Sequence, residues 1–347
     1  GISFYTFQTM SYALDIYYRK LKPTKDIISF ALFVSFFPQL VAGPIEKASN
    51  LLPQILKKRV FNYEQGVDGL RLILWGMFKK IVIADSLAWR VDYCFQNYPS
   101  LDGGTLFLGM IYFSFQIYCD FSGYSDIAIG ISKLLGFELM SNFKFPYFSK
   151  NISEFWNRWH ISLSSWLKDY IYIPLGGSRL NELNTIRNIL VVFILSGLWH
   201  GANWTFIFWG FLHGIFLIFF KIYDKKYKLT IDWNLYYFNF FKNYAKISFN
   251  FIFVTIFWIF FRAQNIGESF SYLLKMLFEF SFPVTNKGGL AIIIIFISLE
   301  LIFKKNKRKI INFENLYLRW SFYFLLSFLC FSYFKFFDEV NFLYFQF

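Results

Sequence analysis

The chain has 347 residues, 56% of them hydrophobic and 24% aromatic with 51 phenylalanines, at a mean hydropathy of +0.41. That apolar share exceeds what an ordinary soluble domain carries and makes lipid the expected solvent for much of the surface. The formal net charge of +13 sits in short clusters between apolar runs, Lys57-Lys58-Arg59, Lys225-Lys226 and Lys304 to Lys309. The positive-inside rule produces that distribution, whereas a nucleic-acid binder needs a continuous basic face, which is absent.

In chain order, apolar stretches at 27–42, 70–89, 104–119, 186–199, 203–220, 247–261, 289–303 and 318–334 predict the membrane helices. Several are shorter than the roughly 20 residues a perpendicular spanning helix needs, which implies tilt, re-entry or local thinning. No stretch between them has the polarity of an independent soluble domain, so residues 1–347 read as one membrane domain. The expected fold class is all-α, a polytopic transmembrane helical bundle. Cys94, Cys119 and Cys330 are far apart and form no CxxC pair, so neither a disulfide framework nor a thiolate metal site is signalled. The chain starts at Gly1 without an initiator Met or a cleavable signal peptide, and further N-terminal residues are expected to precede it.

Loop charge sets an orientation. The Lys304 to Lys309 cluster and the basic loop from Lys221 to Lys246 are expected in the cytoplasm, and the acidic tail around Asp338 and Glu339 outside. On that basis 247–261 runs outward and 289–303 back in, while 186–199 and 203–220 converge on Trp199-His200-Gly201-Ala202-Asn203. The run 186–199 is only about 21 Å long at 1.5 Å per residue, which predicts that His200 lies below the membrane surface, at the bottom of a cavity.

Two polar segments stand apart. Residues 151–178 mix Trp156, Trp159 and Trp166 with charged residues, a pattern suited to an interfacial or re-entrant helix; Asn151, Ser153 and Glu154 offer start chemistry, and Pro174 and Gly176-Gly177 a stop. Asp120-Phe121-Ser122-Gly123-Tyr124-Ser125-Asp126 lies between apolar runs and reads either as a helix break lining a cavity or as a capped turn at the membrane surface.

Only three histidines exist: His160, His200 and His213. Ionisable residues inside a membrane are costly and mark functional pathways, the alternative being a histidine hydrogen-bonded between helices. At His200, a neutral imidazole with a pKa of about 6.5 can take the proton of a hydroxyl attacking a thioester, and small Gly201 and Ala202 leave room for a substrate. His160, in Arg158-Trp159-His160, either orients a substrate or partner or anchors its helix at the headgroups. GxSxG, HExxH and Walker signatures are absent, and three scattered histidines do not make a zinc site, so no metal is expected.

The motifs Phe37-Pro38-Gln39-Leu40-Val41-Ala42-Gly43-Pro44-Ile45, Asp120 to Asp126, Trp156 to Ser162, Tyr172-Ile173-Pro174-Leu175-Gly176-Gly177 and Gly197-Leu198-Trp199-His200-Gly201 occur in an order that resembles the membrane-bound O-acyltransferase family. The resemblance runs from Gly1 to Phe347 and is nearest to the bacterial branch that O-acetylates alginate and peptidoglycan, with teichoic acid D-alanyl transfer more distant. It implies short, tilted or re-entrant helices around a central tunnel, and further helices before Gly1. It implies His200 as the family histidine at the tunnel floor and His160 as the second catalytic position, with Trp199, Asn203, Asp120, Asp126 and Arg158 as candidate tunnel residues. It further implies acetyl-CoA or another acyl thioester as a cytoplasmic donor substrate with no bound cofactor. A polysaccharide acceptor, a periplasmic SGNH/esterase-like partner and a multi-pass location in a bacterial inner membrane complete the expectation. Two other classes stay open on the residues alone: a transporter whose histidines relay protons, although the halves show no convincing self-similarity, and a scaffold without chemistry of its own.

Overall fold

The computed structural model describes residues 2–40, 43–226, 236–283, 285–304, 311 and 313–334. The Val41-Ala42 part of the first motif, most of the Lys304 to Lys309 cluster and the acidic tail at Asp338 and Glu339 lie outside the described residues.

Among those residues the protein is helical, with no strand. The chain opens with α1 (Ile2–Tyr17), α2 (Ile27–Val34) and α3 (Ala48–Leu56), and continues through α4 (Tyr63–Met77) into a π-helical stretch, Phe78–Ala84, that leads directly into α5 (Asp85–Gln96). Then come the long α6 (Gly103–Leu134), the short α7 (Ile152–Trp156) and α8 (Ile161–Leu167), and a hairpin of α9 (Glu182–His200) and α10 (Trp204–Lys226). The last four are α11 (Tyr236–Arg262), α12 (Ile266–Phe278), α13 (Gly289–Lys304) and α14 (Leu316–Tyr333). Among the described residues three segments are long and apolar enough to cross a membrane: Glu182–His200, Trp204–Lys225 and Lys242–Arg262. Asparagine supplies most of the start signals. Asn62, Asn151, Asn181, Asn265 and Asn315 each accept a backbone N–H of the following first turn, which satisfies donors that helix geometry leaves open.

Helix α6 is the centre of the bundle and packs on α4, α5, α11 and α12. Its contact with α4 depends on paired glycines that let two antiparallel backbones touch. A Cβ on Gly76 would stand 2.5 Å from the carbonyl oxygen of Gly123, and one on Gly130 2.5 Å from that of Gly69. Such small-residue pairs are a packing device where lipid removes the hydrophobic drive between helices.

Neither the helix break nor the capped turn expected at Asp120 to Asp126 is present: α6 runs through these residues without interruption. Its carboxylates need no bend toward water because lysines of the Phe78–Ala84 stretch reach them. Lys80 pairs with Asp120 at 2.6 Å and Lys79 with Asp126 at 2.7 Å, while the Lys79 ammonium also donates to Ser122 Oγ at 2.9 Å. The sequence pattern hid these lysines inside the apolar run 70–89.

The α9–α10 hairpin does turn at Gly201 to Asn203, and Lys225 pairs with Glu182 at its far end. Helix α9 is longer than the apolar run, however. Capped by Asn181, it is about 28 Å long at 1.5 Å per residue. The short-helix argument for the depth of His200 therefore does not hold.

Replacing Gly76 with Val is expected to destabilise the protein by about 1–3 kcal/mol through overpacking, measured as thermal unfolding in detergent. Gly66→Ala should be neutral or stabilising, since a Cβ there meets nothing closer than 3.7 Å.

Candidate active site

Two of the three histidines are brought together by Trp199. Its ring lies 4.9 Å from the His200 ring and 5.9 Å from the His160 ring, centroid to centroid. His200, the last residue of α9, is half-buried; Trp209 of α10 and Phe261 of α11 meet it edge to face at 5.3 and 5.2 Å. Phe7 of α1 stacks on Trp199 at 5.6 Å and on Trp166 at 4.1 Å. The aromatic richness of the sequence thus becomes, locally, a wall around an imidazole.

His160 is fixed by backbone and hydrogen bonds. It precedes α8 with φ +42°, left-handed geometry that is rare outside glycine, and is 1% exposed. Burial at that level removes the headgroup-anchor alternative. Its Nδ1 lies 3.2 Å from Asn142 Oδ1. The same oxygen accepts the Ser162 backbone N–H at 3.2 Å and the Ser162 hydroxyl at 2.9 Å. A backbone N–H can only donate, so this atom is the amide oxygen, and His160 Nδ1 must carry a proton. The Nε2 lone pair is thereby left available; among the described residues Nε2 has no hydrogen-bond partner. Phe121 of α6 meets this ring edge-on at 4.6 Å.

His213 behaves differently. It is fully buried among Phe155, Trp156, Phe193, Trp209 and Phe257, and neither ring nitrogen has a hydrogen-bond partner among the described residues. It is neither hydrogen-bonded between helices nor part of the Trp199 cluster.

The segment 151–178 starts as read, with Asn151 capping Glu154 N–H at 2.8 Å, and ends in left-handed Gly176 and Gly177 at φ +99° and +57°. Trp159 and Trp166 are buried at 4% exposure, inside the protein core. Arg158 pairs with Glu154 at 2.5 Å. Asn203 caps α10 by accepting Thr205 N–H at 3.1 Å and donates to the Gln264 carbonyl at 3.0 Å, so it ties the hairpin turn to the end of α11. Asp120 is engaged by Lys80. Asp126 instead lines a cavity of about 100 Å³ together with Lys79, Tyr118, Phe143 and Glu300. Tyr118 donates to Glu300 Oε1 at 2.5 Å. Phe143 packs on Phe121 at 5.0 Å, and Phe121 in turn meets His160, so a chain of ring contacts links the chamber's lining to that histidine.

Asn142, Lys79, Tyr118 and Glu300 escaped sequence reasoning. Glu300 left a signal as the one carboxylate in the apolar run 289–303, and Lys79 as an ammonium inside the run 70–89. Among the described residues no group of three metal-ligating side chains occurs.

Fold and site define a polytopic α-helical membrane protein with a pair of histidines enclosed by aromatic rings. Residues 3–266 match the membrane-bound O-acyltransferase family, and the chain belongs to that family. It is 44% identical over 268 residues to the probable alginate O-acetylase AlgI of Pseudomonas putida, covering 77% of this chain and 52% of that protein. It is 41% identical over 305 residues to the peptidoglycan O-acetyltransferase of Helicobacter pylori, covering 80% and 56%. To the teichoic acid D-alanyltransferase of Bacillus subtilis it is 29% identical over 245 residues, covering 66% and 61%. The chain spans about half the length of the curated relatives it matches.

Lys79→Met leaves the Asp126 carboxylate without its lysine inside the bundle and is expected to cost about 3 kcal/mol or more of stability. Combining it with Asp126→Asn should recover much of that loss; equal stability of Lys79→Met and the parent protein in a denaturation series would refute the role given to this pair.

Proposed function

We propose that the chain carries the acyl-transfer centre of a membrane O-acyltransferase. The observation that carries this reading is the convergence of His160 and His200 on Trp199 within the family-matched region. His200 acts as general base. As the acceptor hydroxyl oxygen forms its bond to the thioester carbonyl carbon, the imidazole takes the hydroxyl proton; the C–S bond then breaks and the proton passes to the departing thiolate. His160, oriented by Asn142, accepts a hydrogen bond at Nε2 from a second hydroxyl of the acceptor and so fixes the approach of the attacking one.

The donor is an acyl thioester such as acetyl-CoA, reaching the centre from the cytoplasmic side. The chamber beside Asp126 and Glu300 supports that route. It opens at the α4 start and the α6 end, near Lys57-Lys58-Arg59, the side the loop charges make cytoplasmic. Acetyl is favoured over D-alanyl because the alginate and peptidoglycan relatives are 44% and 41% identical and the D-alanyltransferase 29%. The acceptor is an extracytoplasmic polysaccharide, acetylated through a periplasmic SGNH/esterase-like partner, with the protein in the bacterial inner membrane.

His200→Ala is expected to lower polymer O-acetylation by about 10²–10⁴-fold while the protein still accumulates in the membrane. His213→Phe, which fills an aromatic box without removing a hydrogen bond, should retain activity. Normal acetylation in the His200→Ala strain would sink the proposed base.

A further inference from the structure

A groove of about 950 Å³ runs along the outside of the bundle between α4 and the first turns of α14, well apart from the histidines. Tyr63, Glu64 and Arg71 form one wall, and Arg319, Trp320 and Tyr323 the other. The walls are tied together by Arg71 Nε–H donating to the Tyr323 hydroxyl at 2.7 Å.

Charge and position identify what the groove can hold. Among the described residues Arg319 makes no ion pair, and Asp68 at the groove's edge is already paired with Lys133 at 2.9 Å. Two guanidinium groups therefore stand against the single open carboxylate of Glu64. Guanidinium is the side chain best matched to a phosphate, which it can meet with two parallel hydrogen bonds. Tyr63 and Trp320, 74% and 63% exposed, are residue types that concentrate at headgroup level, and α4 begins just after Lys57-Lys58-Arg59, on the cytoplasmic side by loop charge. Further along α4, Leu70 and Leu74 continue the groove as an apolar surface. An anionic site with an aromatic rim at the interface and an apolar extension toward the bilayer interior has the layout of one phospholipid.

We propose that this groove binds the phosphate of an anionic membrane phospholipid through Arg319 and Arg71, with an acyl chain along Leu70 and Leu74. The site is independent of the acyl-transfer reading, since none of its side chains touches the histidine cluster.

The test uses the full chain purified in detergent and titrated with phosphatidylglycerol, with phosphatidylcholine, inorganic phosphate and acetyl-CoA in parallel; bound ligand is counted by native mass spectrometry. Phosphatidylglycerol is expected to bind saturably, more tightly than phosphatidylcholine. Arg319→Gln should weaken it about tenfold, the loss of one charged hydrogen-bonding group, and Arg319→Lys by less. Because Arg319 has no ion pair to lose among the described residues, that variant should fold even where Arg71→Gln, which breaks the tie to Tyr323, does not. Unchanged phosphatidylglycerol affinity in Arg319→Gln would overturn the proposal. So would Arg319-dependent binding of acetyl-CoA or inorganic phosphate without phosphatidylglycerol binding, which would make the groove a site for a soluble phosphate.

Discussion

The carboxylates Asp120 and Asp126 sit on the most enclosed helix of the bundle, and two consecutive lysines hold them there. Ionised groups at that depth are tolerated only when paired, and the π-helical stretch between α4 and α5 presents Lys79 and Lys80 so that each reaches a different acid on α6. A wider turn at this point suits the task, because π-helical stretches recur where side chains must be re-aimed for function. With the charges neutralised, α6 continues without a break through residues 120–126 and can serve as the post against which α4, α5, α11 and α12 pack.

That post organises both polar regions inside the protein. Phe121 and Ser125 face the His160 side, the serine receiving a hydrogen bond from Asn142 at 3.4 Å, while Tyr118 and Asp126 face the chamber with Glu300. One helix therefore sets the spacing between the cavity beside Glu300 and the histidine pair, and Phe121 and Phe143 form a chain of ring contacts from one to the other. A shift of α6 would be felt at both, which couples the lysine pairs to the geometry of the two regions.

The glycine contacts serve the same end. Gly69 and Gly76 on α4 and Gly123 and Gly130 on α6 let the backbones approach closely enough for Lys79 to span to Asp126 and Ser122. Larger residues at those positions would separate the helices by the width of a side chain and leave the acids out of reach. Small residues and buried ion pairs thus depend on one another.

Much of this was legible in the amino-acid order. The helical membrane class followed from composition and run length, the α9–α10 turn from loop charge, and His160 and His200 from their rarity and motif context, because each is a local or compositional property. The continuity of α6 was not legible: a polar stretch between apolar runs implies a break unless distant lysines are known to reach it, and Lys79 lies 47 positions before Asp126. Nor could the sequence place Asn142, whose amide oxygen selects the protonated nitrogen of His160, or show the aromatic box that encloses His213. Those depend on which side chains meet after packing, which only the tertiary arrangement of α6, α8, α9 and α10 around Trp199 decided.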